Sequence, residues 1–238
     1  MARKPDTPQS ANPQSSAPRP PSRSDREKII DAFMGLLAGR PIEEIGFGDI
    51  AGRAGVSLST CREEFGSVLS ILAAFIKSVD RQVLSGGDAE LTQEPPRERL
   101  FDVLMRRLEL LTPHKAAVRS LQRSACRNPG LALALNGLSV RSQTWMLTAA
   151  DIDATGLKGM VRAQGMAMLF GRALATFVND DEPGLPRTMA ALDRELARGQ
   201  RWSGFLDDVC RLTPPACCPG SRRARRRQRD EGEEAIAV

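Results

Sequence analysis

Residues 49–65 read Asp49-Ile50-Ala51-Gly52-Arg53-Ala54-Gly55-Val56-Ser57-Leu58-Ser59-Thr60-Cys61-Arg62-Glu63-Glu64-Phe65. The spacing predicts a short helix over 47–53 with Ile50 and Ala51 facing inward. Gly55 ends it, because glycine alone enters the left-handed region without a Cβ penalty. Ser57 is a favoured N-cap for a second short helix over 58–64, and Phe65-Gly66-Ser67 breaks that one. Ala51, Ala54 and Val56 let the two helices approach closely. Short helix, glycine turn, short helix is the helix-turn-helix pattern. On that reading the first turn of the second helix points into a major groove. Ser57, Leu58, Ser59 and Thr60 then reach phosphates or base edges, and Arg53 and Arg62 reach phosphates. The same residues also serve as the caps and packing groups of any helical domain.

Working outward, Ser24-Asp25-Arg26-Glu27 has the capping-box pattern. Ile29, Ile30, Phe33, Met34 and Leu37 follow at helical spacing, and Gly39 and Pro41 stop that helix. On the other side a long helix is predicted over 67–84, with Val68, Leu69, Leu72, Phe75, Ile76, Val79 and Val83 as its apolar face. Gly86-Gly87-Asp88 and Pro95-Pro96 bound a linker. Further helical stretches are predicted at 97–111, 114–125, 129–148, 159–178 and 184–209. Pro113 and Pro129 stand at helix starts, where a missing N–H costs least. Period-two alternation is nowhere sustained. The expected fold is all-α with about nine helices. A three-helix head over 25–84 joins a larger helical ligand-binding and dimerisation domain over 97–210. Residues 1–24 read as a disordered basic arm rich in Pro and Ser, and 211–238 as a disordered tail, Arg-rich and then acidic.

The 238 residues carry 34 Lys and Arg against 29 Asp and Glu, a formal +5. Each end contributes +3 and residues 25–210 hold −1. The basic character therefore belongs to the ends. Residues 25–66 hold five basic residues and eight acidic ones, a local −3. A nucleic-acid reading head of that sign needs electrostatic help, and Arg19 and Arg23 suggest the arm as its source, lying in a minor groove.

Absent Tyr, with Trp at 2 and Phe at 8, argues against a sugar-binding or base-stacking surface. No apolar run approaches the roughly 20 residues of a membrane helix. The N-terminus lacks the apolar core of a secretory signal, so a cytoplasmic protein without stable membrane insertion is expected. Cys61, Cys126, Cys210, Cys217 and Cys218 are irregularly spaced, with neither CxxC nor a nearby His, which favours reduced thiols over zinc or disulfides. His114, the single His, is expected to be exposed in the first turn after Pro113. Without G-x-S-x-G, a P-loop or a metal cluster, neither catalysis nor a cofactor nor a metal is expected.

Asp49-Ile50-Ala51, Ala54-Gly55-Val56-Ser57, Thr60 and Phe65 closely resemble the signature of tetracycline-repressor (TetR) family regulators, roughly I-A-x-x-A-G-V-S-x-x-T-x-Y-x-x-F. The resemblance covers 25–84, and later residues share only helix number and length. Three departures stand out. Arg62 replaces the usual Tyr, which in such proteins meets a backbone phosphate. Glu63 and Glu64 follow it and repel phosphate unless turned away. Val68 occupies a slot that often holds Lys. The resemblance implies a ligand-responsive regulator, with a repressor expected, that binds a two-fold-related double-stranded DNA operator as a homodimer. It also implies a dimer interface on the last two helices, where Leu185, Met189, Leu192 and Leu196 recur at seam spacing. That seam fits packing within one chain equally.

Trp145, Met146, Met166 and Phe170 are candidates for lining a pocket for a small apolar ligand, since Met adapts to irregular shapes. An ordinary core uses the same residues. Pro113–Arg119, Trp145–Ala150 and the final Met189–Asp193 helix are also similar to the lipid-binding accessory protein of ubiquinone (coenzyme Q) biosynthesis. That likeness implies an alternative: a lipid- or isoprenoid-binding protein with a vestigial DNA-binding head.

Overall fold

The computed structural model describes residues 24–86 and 94–212, with side chains to residue 199. The basic arm before Ser24, Gly87-Asp88 of the linker, the tail beyond Leu212, and Cys217 and Cys218 lie outside the described residues. Nine α-helices occur among the described residues, with no strand.

The first helix, α1 (Asp25–Leu37), starts at a complete capping box: the Ser24 hydroxyl accepts from Glu27 N–H and Glu27 Oε2 accepts from Ser24 N–H at 3.0 Å. Its Ile29, Phe33 and Leu37 are fully buried. After a 3-10 turn (Ile42–Glu44), α2 (Phe47–Ala54) begins where Asp49 Oδ2 accepts from Gly46 N–H at 3.1 Å. It ends at Gly55, whose φ of 68° is left-handed. The recognition candidate α3 (Leu58–Glu64) follows, capped by Ser57. Then α4 (Val68–Ser85) runs from this head into the body.

The body consists of α5 (Pro96–Leu111), α6 (Lys115–Arg127), α7 (Pro129–Ala149), α8 (Gly156–Phe177) and α9 (Pro186–Leu212). Asn128 caps α7, accepting from Leu131 N–H at 3.0 Å, with Pro129 in the first helical position. α8 packs on both α7 and α9, α4 packs on α5 and α7, and α6 packs on α1 and α7. The head is thus joined to the body by α4 and by the α1–α6 contact. Gly159 in α8 abuts the backbone of Ala154; a Cβ there would lie 2.0 Å from the Ala154 carbonyl carbon.

The start of α9 is held by Asp180, whose Oδ2 accepts from Thr188 N–H and Oγ1–H at 2.7 Å each. Burial pushes this carboxyl's pKa up, but the bonds from Thr188 and from the Glu182 backbone, with the charge of Lys115, together outweigh it and leave the value below the ordinary one.

Most of the seam residues expected at the dimer interface turn inward. Leu185, Leu192 and Leu196 are buried within this chain, and Met189 alone of the seam is exposed. Steps of four, three and four residues describe a face without naming its partner, and the packing of α9 on α8 and α5 occupies it. The face of α4 also contains Ile71 and Asp80, both buried.

Candidate nucleic-acid interface

In α3, Cys61 and Phe65 point into the head, at 1% and 3% exposure. Leu58, Ser59, Arg62 and Glu63 share the outer face and are exposed, while Thr60 is half-buried. Ser57 Oγ accepts from Thr60 N–H at 3.1 Å, and it lies 2.7 Å from Ser59 Oγ and 2.8 Å from Thr60 Oγ1. Three hydroxyls are therefore gathered at the helix start, beside backbone N–H groups that carry the positive end of its dipole. The structure brings Ser57, Leu58, Ser59, Thr60 and Arg62 to one end of the head. Arg53 does not join them in this way: its guanidinium lies over Gly35 of α1, where a Cβ would come within 2.7 Å of Nη2.

The acidic residues of the head are partly neutralised. Glu64 turns back to α1, where Arg26 Nη1 pairs with its Oε2 at 3.0 Å and also donates to its backbone carbonyl at 3.3 Å. The same guanidinium covers the Phe65 ring at 4.5 Å. This clamp fixes the end of α3 and removes one of the two carboxylates that the sequence places beside Arg62. Asp49 pairs with Arg40 at 3.5 Å and Asp25 with Lys28 at 2.6 Å. The neutralisation also consumes cations. Of the five basic residues in 25–66, Arg26, Lys28 and Arg40 have carboxylate partners, which leaves Arg53 and Arg62 as the cations available to phosphate.

The residues expected to line a ligand pocket are divided. Met146 and Phe170 are buried in the body, Met166 is half-buried, and Trp145 is 56% exposed on another face of α7. Trp145 points to solvent, whereas its neighbours Met146 and Leu147 both turn into the body. Beside Phe170 the interior is polar. The Arg107 guanidinium covers the Phe170 ring at 4.8 Å and pairs with Asp80 at 3.4 Å. Asp80 Oδ1 also accepts from Ser142 Oγ–H at 2.7 Å. Burial pulls the Arg107 pKa down against the field of Asp80, though a guanidinium stays charged. Gln143 is fully buried, and neither polar atom of its amide has a hydrogen-bond partner among the described residues. Sequence reading missed this group because Asp80 and Arg107 lie 27 positions apart on different helices.

His114 corrects another expectation: it is half-buried, edge-on to Phe75 with centroids 4.8 Å apart. Of the cysteines with described side chains, Cys61 is buried and Cys126 exposed, both as free thiols. Among the described residues no cluster of His, Cys, Asp and Glu could hold a metal ion, and no helix is long and apolar enough to cross a membrane.

A helix-turn-helix head on a helical body defines a class of protein, and comparison with solved structures narrows it. The TetR transcriptional regulator of Nitrosomonas europaea ATCC 19718 superposes with a TM-score of 0.59 at 20% identity, covering 75% of this chain and 99% of that one. A TetR-family regulator from Rhodococcus sp. gives 0.52 at 19% identity, covering 73% and 97%. Another, from Rhodococcus sp. RHA1, gives 0.50 at 18% identity, covering 76% and 97%. The chain has the fold of TetR-family transcriptional regulators. No protein-family model and no curated protein matches it.

Proposed function

We propose that the protein is a ligand-responsive, DNA-binding transcriptional regulator, acting in the cytoplasm as a repressor and as a homodimer on a two-fold-related operator. The observation that carries this reading is the outer end of α3, where the Ser57, Ser59 and Thr60 hydroxyls and Arg62 stand together on a head of this fold. Such a group suits phosphate contacts and base edges at the mouth of a major groove. The head, 25–84, does the reading, and the basic arm in 1–24 supplies charge that the head lacks.

The dimer uses the outer face of α8 in place of the buried seam of α9. Leu157, Met160, Val161 and Met168 are 76%, 66%, 47% and 56% exposed, and Met189 of α9 is 44% exposed. Their spacing on α8 makes one apolar stripe, with exposed Gly165 and Gly171 beside it, of the kind that a second copy covers. The two α3 helices then address half-sites about 34–36 Å apart, or a multiple of that spacing. The ligand is amphiphilic: the sequence favours an apolar body, and the buried Gln143 amide without a partner among the described residues, next in sequence to the Ser142 that bonds Asp80, favours a polar head. A bound ligand regulates only if it binds one head spacing better than another.

The test titrates the protein with DNA flanking its own gene, against scrambled DNA of equal length, and extracts co-purifying lipid for mass spectrometry. Saturable preference for the flanking DNA supports the regulator. No binding at low salt, with isoprenoid or other lipid recovered, supports the vestigial-head alternative instead.

A further inference from the structure

Lys115, Arg119, Arg123 and Arg127 fall four residues apart on α6 and form a stripe of cations about 18 Å long. Like charges at this spacing weaken a helix, and packing against the body accounts for only the first two of them. Lys115 is engaged by the body: its Nζ donates to the Asp180 carbonyl and lies 5.0 Å from the Phe177 ring. Arg119 is half-buried, and one Nη2–H bonds the Val178 carbonyl while Nε is buried without a partner. Arg123 and Arg127 are exposed and have no carboxylate partner among the described residues.

Two clefts flank these arginines. One, of about 330 Å³, lies between Ala38–Pro41 at the end of α1 and Arg119, Ser120, Arg123 and Arg127 of α6. Its floor is pinned by the Ser120 hydroxyl donating to the Arg40 carbonyl at 2.9 Å. The second, of about 440 Å³, lies on the other side of the same arginines and reaches Val178 and Asn179 past the end of α8. Neither is lined by Asp or Glu.

We infer that the α1–α6 cleft binds a small molecule through a phosphate or pyrophosphate group. Guanidinium forks match tetrahedral oxyanions with paired hydrogen bonds. The open guanidiniums of Arg123 and Arg127, with the half-buried Arg119 beside them and no Asp or Glu in the lining, complement a multiply charged group better than a single carboxylate. The volume is that of a small-molecule site. A nucleic-acid backbone is disfavoured by position: the cleft is at the C-terminal end of α1, about 20 Å along that helix from Arg26, which clamps the end of α3. The cleft has one wall on the head and one on the body, so its occupant fixes their relative position. That last consequence rests on the regulator reading, whereas the binding itself does not.

The test is calorimetric titration of the full chain with inorganic pyrophosphate, ionic strength held constant with NaCl. Wild type, the double variant Arg123→Gln/Arg127→Gln and the control Arg141→Gln are compared. All three positions are exposed, and Arg141 lies on α7 outside both clefts. The Arg-rich segment 222–229 is common to all samples, so the double variant separates binding at the α6 arginines from binding at that segment. Saturable binding with Kd about 1 mM or tighter is expected for wild type and control. Weakening by about tenfold or more is expected for the double variant, as two charge-assisted contacts are lost. Absence of saturation in wild type, or equal affinity in the double variant, overturns the proposal. Measuring DNA affinity on the same samples separates the two readings. Pyrophosphate binding without DNA binding keeps the site and removes the regulator, and DNA binding without pyrophosphate binding does the reverse.

Discussion

Asp80 sits on the inward face of α4 among Ile71, Leu72, Phe75, Val79 and Val83, where an apolar side chain is the ordinary choice. It is tolerated because Arg107 and Ser142 meet it from α5 and α7. Removing one member of a buried pair leaves the other charge without compensation. Asp80→Ala is therefore expected to cost about 3–5 kcal/mol in urea unfolding; a loss under about 1 kcal/mol would mean that Arg107 finds another partner. His114 gives a pH dependence. Its partial burial against Phe75 lowers its pKa below the ordinary value of about 6.5, with Asp31 opposing. The unfolded chain then binds the extra proton first, so stability is complete above the unfolded pKa and falls as pH drops through the folded one. His114→Gln should flatten the change in urea midpoint between about pH 7 and pH 5; parallel slopes for variant and wild type would assign the dependence elsewhere. The residues of 49–65 were legible because caps and turns are local: Ser57 caps and Gly55 turns within a few positions of themselves. Asp80 was not, since its partners come from α5 and α7.

Among the elements, helix limits followed the sequence closely where a cap or a proline marks them, as at Ser24, Ser57, Ser67 and Pro129. The facing of the last two helices did not. Leu185, Leu192 and Leu196 satisfy a seam, and packing against α8 and α5 decides that it is internal. The available stripe is on α8, where Leu157, Met160, Val161 and Met168 are too exposed to belong to this chain's core. If a second copy covers it, Met160→Glu/Val161→Glu should shift sedimentation from dimer to monomer while helical content is kept. A variant that stays dimeric would move the interface to another face.

For the molecule as a whole, the balance of charge is the tension in the account. The head is acidic, and half of its problem is solved by turning Glu64 onto Arg26 and Asp49 onto Arg40. The solution leaves few cations for phosphate, with Arg62 alone on the outer face of α3. The net charge misled as a guide to this, because it is concentrated in residues 1–24 and 211–238. The measurement that most directly tests DNA reading by α3 is the salt dependence of affinity for the flanking DNA, for wild type, Arg62→Ala and a chain lacking residues 1–24. The account predicts that Arg62→Ala weakens binding about tenfold or more and lowers the salt slope by about 2, one phosphate per half-site. It predicts that deleting the arm lowers the slope further. Unchanged affinity and slope in Arg62→Ala, with sequence preference intact, would contradict it.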